Sequence, residues 1–206
     1  VVNRIVADGG RALAVRADVS SEQEVSAMFE IARDQFGPVT ALVNNAGILE
    51  TQMRLEAMSV DRVKRILETN VVGTILCVQQ AIKHMAYKHG GGGGAIVNVS
   101  SVAARLGAPR EYIDYAASKG AVDSMTIGLA KELAVDGIRV NAVRPGYIYT
   151  EMHASGGEPN RVDRVKELVP LKRGGSAEEV ANAILWLVSE EASYTTGAFI
   201  DVAGGN

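Results

Sequence analysis

A tyrosine and a lysine spaced four residues apart, Tyr115 and Lys119, are the first candidates for chemistry in this sequence. On a helix, positions i and i+4 lie on one face, one turn apart. A phenol with a pKa of about 10 transfers protons poorly at neutral pH, and a cation one turn away lowers that pKa. The spacing therefore indicates an acid/base pair for a reaction between a carbonyl and an alcohol, with an exposed helix pair as the alternative.

Three other polar residues accompany the pair. Ser100 and Ser101 follow an apolar segment, and a hydroxyl at the carboxyl end of a parallel strand faces the ligand crevice. A cap or turn serine is the alternative for each. Asn70 lies inside a long apolar helix, where Asn is unfavourable because its side chain competes for backbone hydrogen bonds. We expect Asn70 either to bond a neighbouring loop or to mark a hinge whose free carbonyl holds a water.

Two turns rich in small residues also follow predicted strands. They are Asn44-Asn45-Ala46-Gly47 and Pro145-Gly146. Small residues at such places let a flat ligand approach the backbone, and an ordinary turn is the alternative.

The elements that must position these residues alternate along the chain. The predicted strands are 11–17, 39–43, 95–99, 138–143 and 198–202, and the predicted helices are 1–8, 22–36, 59–87, 112–135 and 177–189. Such alternation predicts an α/β fold with a doubly wound parallel sheet in a single domain, with ligands beyond the carboxyl ends of the strands. Five consecutive glycines, 90–94, predict a flexible surface loop.

The composition excludes several classes of protein. The 206 residues are 47% hydrophobic and 22% charged, which is ordinary for a globular domain. With a net charge of −3 and no basic run, no nucleic-acid partner is expected. The one cysteine, Cys77, permits neither an intrachain disulfide nor a cysteine metal cluster, and a buried thiol fits the reducing cytoplasm. Because no run of about 18 apolar residues occurs, no membrane span is expected.

Seven short motifs occur in one order over nearly the whole chain. They are Asp18-Val19, Asn44-Asn45-Ala46-Gly47, Asn70-Val71-Val72-Gly73, Val97-Asn98-Val99-Ser100-Ser101, Tyr115-Ala116-Ala117-Ser118-Lys119, Arg139-Val140-Asn141 with Pro145-Gly146, and Ala203-Gly204-Gly205. Together they resemble the short-chain dehydrogenase/reductase family in its short single-domain branch, similar to 3-oxoacyl-carrier-protein reductases and glucose dehydrogenases. The resemblance implies a Rossmann-like domain over 1–206 and a hydride transfer between NAD(P) and a carbonyl or alcohol substrate.

The resemblance also implies roles for the catalytic residues. Tyr115 would be the general acid in reduction and the base in oxidation, and Lys119 would bind the nicotinamide ribose and lower the pKa of Tyr115. Asn70 would hold a water in a proton relay to Lys119. Ser101 precedes Tyr115 by 14 residues and would donate to the substrate oxygen, whereas Ser100 would end its strand.

Further contacts with the cofactor are implied on both of its halves. Those of the adenosine half are Asp18 and Val19 at the adenine ring and Asn44, Ala46 and Gly47 at the ribose. Those of the nicotinamide half, besides Tyr115 and Lys119, are Pro145, Gly146, Ile148 and Thr150. The choice between NAD and NADP stays open, and no metal is expected.

The beginning of the chain departs from the family pattern. The family opens with a strand and a glycine-rich turn that holds the pyrophosphate, and no Gly-x-x-x-Gly-x-Gly occurs near the start here. We therefore expect the first two strands of the family's sheet to be missing, either because an N-terminal segment is absent or because this form is damaged. Segments 11–17 and 39–43 should then not be neighbours in the sheet.

Two other functions stay open at this point. A non-catalytic nucleotide-sensing or regulatory protein can have the same fold, although it has no need of Ser101, Tyr115 and Lys119 together. An epimerase or dehydratase of the extended branch needs a larger C-terminal domain, and only about 85 residues separate Lys119 from Gly204.

The surface patterns predict a lid and an oligomer. Segment 150–175 should form a lid over the substrate pocket, with His153 as a solvated loop residue in preference to a substrate contact. Apolar residues beyond the need of one sheet face predict a second packed side, and the resemblance, since the family commonly pairs these helices across a two-fold axis, implies a homo-oligomer, expected as a tetramer. These residues are Val63, Ile75 and Leu76 on one helix and Met125, Leu129 and Leu133 on the other.

Overall fold

Four parallel strands form the sheet of this protein. In the computed structural model, which describes residues 1–206, they are β1 (Ala41–Asn44), β2 (Gly94–Val99), β3 (Ile138–Pro145) and β4 (Phe199–Val202). They lie in the order β1-β2-β3-β4, and each strand is parallel to its neighbours. The predicted α/β fold with a parallel sheet is confirmed. The carboxyl ends of the four strands meet at one edge of the sheet.

Nine α-helices connect and flank the strands. They are α1 (Val2–Ala7), α2 (Glu22–Phe36), α3 (Val60–Leu67), α4 (Gly73–Met85), α5 (Ala103–Leu106), α6 (Ile113–Glu132), α7 (Met152–Ser155), α8 (Arg161–Val165) and α9 (Ala177–Val188). The predicted single helix over 59–87 is two helices, because a π-helical turn at Glu68–Val72 separates α3 from α4. No helix combines the length and the apolar character that crossing a membrane requires.

Serine caps determine where two helices begin: Ser20 or Ser21 is predicted to cap the helix at 22–36, and Ser176 the helix at 177–189. The Ser21 hydroxyl accepts a hydrogen bond from the N–H of Glu24 at the start of α2. At α9, Ser176 and Glu179 form a reciprocal capping box. Each cap satisfies backbone N–H groups that have no partner inside the helix.

The sheet has an apolar core on each face. On one face Ile96 and Val140 pack against α2, α4 and α6, and this core includes Val25, Phe29, Cys77, Ala81, Met85 and Leu133. On the other face Val97 and Val143 pack against Val180 and Leu187 of α9. Cys77 is a buried core thiol, as predicted. Strands held between two packed layers give the cleft at their carboxyl ends a rigid base.

Segment 11–17 is not a strand, so that prediction is wrong. It carries no secondary structure, Leu13 is exposed, and no backbone N–H or C=O of the segment forms a backbone hydrogen bond. A strand needs a neighbouring strand to pair its backbone groups, and β1 is paired only with β2. Because 11–17 is not part of the sheet, the expectation about its place relative to the 39–43 strand is not tested.

The exposed apolar surface of α4 and α6 differs from the predicted one. Leu133 is fully buried, and Leu76 and Leu129 pack against the same core. Ile75 is exposed, as predicted, and Ile127 is exposed as well. The cause is that each helix packs against a second helix as well as against the sheet, α4 against α2 and α6 against α3, so each buries a wider stripe than one sheet contact requires.

The glycine run before β2 is a packed turn. A Cβ atom on Gly91 would lie 2.3 Å from the backbone of Met85, and one on Gly93 would lie 2.6 Å from the carbonyl oxygen of Gly137. Gly92 is exposed and has open space around it. Gly90 is also exposed with open space around it, so Gly90 and Gly92 fit the predicted surface loop, whereas Gly91, Gly93 and Gly94 are closely packed.

Candidate active site

A cleft of about 800 Å³ opens at the carboxyl ends of the strands. Nine of the residues singled out from the sequence line it: Ala46, Gly47, Ser101, Tyr115, Lys119, Pro145, Gly146, Ile148 and Thr150. They come from the ends of three strands and from the first turns of α6, so residues far apart in the chain share one wall. This is the position at which parallel α/β sheets bind their ligands.

Tyr115 and Lys119 lie one turn apart on α6, and both are buried. The Lys119 Nζ atom lies 5.6 Å from the centroid of the Tyr115 ring. It donates a hydrogen bond of 2.8 Å to the carbonyl oxygen of Val99, the last residue of β2. An ammonium has three N–H groups, so donors of Lys119 beyond that bond are available to a ligand in the cleft.

Burial dominates the ionisation of both residues. It raises the pKa of Tyr115 to about 12, and the nearby Ser101 hydroxyl, which favours the phenolate, offsets only part of that rise. The predicted lowering of the Tyr115 pKa by Lys119 is therefore not present in this structure. Burial also lowers the pKa of Lys119 to about 8, against the opposing charge of Asp123. Desolvation disfavours the charged form of either group.

Asn70 follows the first of the two alternatives that its sequence context leaves open, a bond to a neighbouring loop. It lies in the π turn, and its Oδ1 accepts a bond of 2.8 Å from the N–H of Ile48 while its Nδ2 donates to the carbonyl of Ile48 at 2.9 Å. Its backbone carbonyl accepts from the Thr74 hydroxyl at 2.9 Å. Asn70 is thus bonded to a loop and also marks an irregular turn of the helix.

Gly47 lies beside the side chains of both Asn70 and Lys119. A Cβ atom on Gly47 would lie 3.4 Å from both the Asn70 Oδ1 and the Lys119 Nζ atoms. The space beside these two polar groups is therefore free of any side chain at this position. A small ligand atom can reach both groups from the cleft.

The two serines of the motif have different surroundings. The Ser100 hydroxyl is buried and donates a hydrogen bond of 2.6 Å to Asp123 Oδ1. Its one hydrogen is therefore already used in a bond inside the protein. Ser101 lines the cleft, and its hydroxyl accepts from the N–H of Ala103 at 3.1 Å. Accepting from Ala103 leaves the single O–H of Ser101 able to donate either to Tyr115 or to a substrate oxygen.

Three residues implied at the adenosine half lie outside the cleft. Asp18 is exposed and accepts hydrogen bonds from the amide and hydroxyl of Ser20, which hold its pKa below its usual value. Asn44 donates to Asn98 Oδ1 at 2.9 Å inside the sheet. Val19 packs against Gly73, since a Cβ there would lie 2.7 Å from a Val19 methyl carbon. Their contact with a cofactor stays a prediction.

The substrate side of the cleft is mostly apolar next to Tyr115. Leu49, Tyr112 and Tyr115 form one cluster, with Met152 of the lid packed against it. His153 also lines the cleft, half-buried, and its Nε2 lies 3.0 Å from the carbonyl oxygen of Ile148. The expectation of a solvated loop histidine is therefore wrong, because α7 turns the side chain inward.

Two charged pairs near the cleft were not found from the sequence. Arg144 donates to Asp123 Oδ2 at 2.8 Å, which orients Asp123 toward Ser100. Arg62 of α3 pairs with Asp114 of α6 at 2.6 Å, and both side chains are buried. A signal for the second pair exists, since Arg62 lies four residues before the buried Ile66, on the apolar face of α3.

The fold and the cleft define an α/β protein of the kind that binds a dinucleotide at the carboxyl edge of its sheet. A family model described as enoyl-(acyl carrier protein) reductase matches residues 1–206. The chain is 62% identical to the uncharacterized oxidoreductase YgfF of Escherichia coli K12, over 100% of this chain and 83% of that protein. It is 39% identical to glucose 1-dehydrogenase 2 of Bacillus subtilis, over 96% and 76% of the two chains.

A solved structure is similar over nearly the whole chain. A short-chain type dehydrogenase/reductase from Mycobacterium marinum superposes with a TM-score of 0.92 at 34% identity, over 99% of this chain and 79% of that one. The chain belongs to the short-chain dehydrogenase/reductase family and is an oxidoreductase.

Proposed function

We propose that this enzyme transfers a hydride between NAD(P) and a carbonyl or alcohol substrate, with Tyr115 as the general acid and base. The observation that carries the proposal is the convergence of Ser101, Tyr115 and Lys119 on one cleft, with Asn70 bonded behind them. A sensor that only binds a nucleotide has no use for a buried phenol beside a serine hydroxyl and an ammonium.

The residues present fit the nicotinamide half of the cofactor. Lys119 has donors that suit the hydroxyls of a ribose, and the glycine position at Gly47 leaves room beside it. Pro145, Gly146, Ile148 and Thr150 line the same cleft, and they would hold the carboxamide and the ring. When bound, the nicotinamide supplies or takes the hydride.

Tyr115 moves the proton in this proposal. Its raised pKa keeps the phenol protonated at neutral pH, so it donates a proton to the substrate oxygen during reduction. The Ser101 hydroxyl donates to the same oxygen and stabilises its developing charge. Lys119, one turn away on the same helix, would hold the nicotinamide ribose beside the phenol in both directions of the reaction.

We also propose that the enzyme is a cytoplasmic homotetramer. Ile75 and Ile127 leave apolar surface exposed on α4 and α6, which a second copy would cover across a two-fold axis. The buried free thiol of Cys77 supports a reducing compartment.

A turnover assay tests the proposed reaction. A panel of ketones, aldehydes and alcohols is screened with NAD and NADP in both oxidation states, and Tyr115→Phe is compared with the parent on the best substrate. We expect turnover to fall at least about 100-fold, because the ring stays in place while the proton donor is lost. Tyr87→Phe, on the far side of the sheet from the cleft, is the matched control. Turnover of Tyr115→Phe within a few-fold of the parent would remove Tyr115 from its role.

A further inference from the structure

The ion pair between Arg62 and Asp114 joins three segments around the catalytic tyrosine. The Arg62 Nε donates to Asp114 Oδ2 at 2.6 Å, and the side chains are 3% and 1% exposed. The Arg62 Nη1 also donates to the carbonyl oxygen of Thr51 at 2.5 Å. On the other side, Asp114 Oδ1 accepts from the backbone N–H of Tyr115 at 2.9 Å. One guanidinium therefore connects α3, the loop after β1 and the first turn of α6.

The first turn of α6 depends on this pair. The residue before the helix, Tyr112, provides no side-chain cap, so the exposed N–H groups of the first turn need another acceptor. Asp114 supplies that acceptor for Tyr115 itself. Its carboxylate is in turn fixed by two nitrogens of Arg62, Nε and the more distant Nη2 at 3.3 Å.

The third partner, Thr51, belongs to a loop whose Leu49 lines the cleft. Its loop carries Leu49, which packs directly against Tyr112 and Tyr115. The same loop begins at Ile48, whose backbone is held by Asn70. Arg62 thus fixes the far end of a loop whose near end is fixed by Asn70.

We propose that Arg62 and Asp114 are positioning residues that set the placement of Tyr115 against the substrate wall. The proposal rests on the proposed function of Tyr115 as acid and base. Taking two charges out of water is costly, and well-packed apolar side chains often give equal or greater stability at such a place. The contribution of the pair is therefore geometric: it aligns a backbone amide, a helix turn and a loop simultaneously.

The double variant Arg62→Met with Asp114→Leu tests this proposal. It removes both charges together, so no unpaired charge is left buried and the chain should keep its fold. We expect a melting temperature within about 5 °C of the parent. We expect kcat to fall at least about 10-fold with KM changed by less than about 3-fold, because the reacting groups are misplaced while the pocket remains. Parental kcat in a folded double variant would overturn the proposal.

A conservative variant and a matched control complete the experiment. Arg62→Lys keeps the charge but cannot reach both Asp114 and Thr51, so an intermediate loss of kcat is expected. An unchanged kcat in Arg62→Lys would also count against the proposal. The control is Arg65→Met with Glu50→Leu, an exposed pair that links the same helix to the same loop at 2.8 Å. It should leave kcat and KM unchanged.

Amide hydrogen exchange separates this proposal from the proposed function. The exchange rate of the Tyr115 amide should rise at least about 10-fold in the double variant and stay parental in the control, whether or not turnover is detected. If the parent turns over no substrate while this amide responds as expected, the proposed reaction fails and the positioning role of the pair stands. An amide rate that does not change in the double variant would refute the pair's role directly.

Discussion

At the scale of single residues, burial sets the pKa values on which the proton transfer depends. Tyr115 and Lys119 both have pKa values shifted toward their neutral forms, because each is enclosed by apolar atoms and backbone. A protonated phenol is ready to donate in reduction, whereas oxidation needs the phenol to lose its proton first. Oxidation of an alcohol should therefore gain more from rising pH than reduction of the matching ketone.

Replacing Lys119 should separate stability from activity. Lys119→Met keeps most of the stem and removes a charge that the fold pays to bury, so we expect a gain of about 1–2 kcal/mol in unfolding free energy at pH 7 together with a large loss of turnover. The pKa of Lys119 is about 8 in the folded protein and higher in the unfolded chain. The parent therefore recovers stability as the pH rises above about 8. The advantage of the variant should then shrink between pH 8 and about 10.5.

Chemical denaturation at pH 7, 9 and 10.5 measures this effect. Lys131→Met, near the exposed end of the same helix, is the control and should show no such pH dependence. A variant that is less stable than the parent at pH 7 would contradict the claim that burial of the ammonium is costly.

Among the elements, the π turn between α3 and α4 shows where sequence reasoning reaches its limit. The apolar pattern predicts the helix and identifies Asn70 as unusual, but its partner Ile48 lies 22 residues away in a loop. Local pattern contains no information on such a distant hydrogen bond. For the same reason the Arg62–Asp114 pair was not predicted, although Ser21, Ser176 and the carboxyl-edge residues were, since those follow from local rules.

Removing the Asn70 side chain should destabilise this turn. In Asn70→Ala the backbone N–H and C=O of Ile48 lose their part-buried hydrogen bonds to the Asn70 side chain, so we expect a loss of about 1–3 kcal/mol in unfolding free energy. Turnover should fall as well, because the loop beside Lys119 is no longer fixed. Urea denaturation and the turnover assay measure the two effects. Gln79→Ala, at an exposed position on α4, is the control, and equal stability of the two variants would refute the role of Asn70 in the turn.

For the whole molecule, neighbouring strands in the chain are also neighbours in the sheet. The alternation of apolar segments was enough to predict the four strands from β1 to β4 and their common carboxyl edge. It failed for 11–17, since the same alternation occurs in a segment without any paired strand. A strand forms only where a neighbouring strand pairs with its backbone, and the sequence pattern of one segment does not show whether such a neighbour is present.

Self-association should depend on the exposed apolar residues of α4 and α6. Sedimentation velocity at micromolar concentration is expected to show a tetramer for the parent. Ile75→Glu with Ile127→Glu should reduce it to smaller species, because two buried charges without partners oppose the contact. Val135→Glu, beyond the end of α6, is the control. A parent that sediments only as a monomer would refute the tetramer.

The packed glycine turn before β2 also provides a place to attach a probe. Gly92 projects into open space at the amino ends of the strands, the edge opposite the cleft. The sole native cysteine is enclosed in the core, so a thiol introduced by Gly92→Cys would be the one that reagents reach. A fluorophore or surface tether there would report on ligand binding and subunit exchange while leaving the cleft untouched.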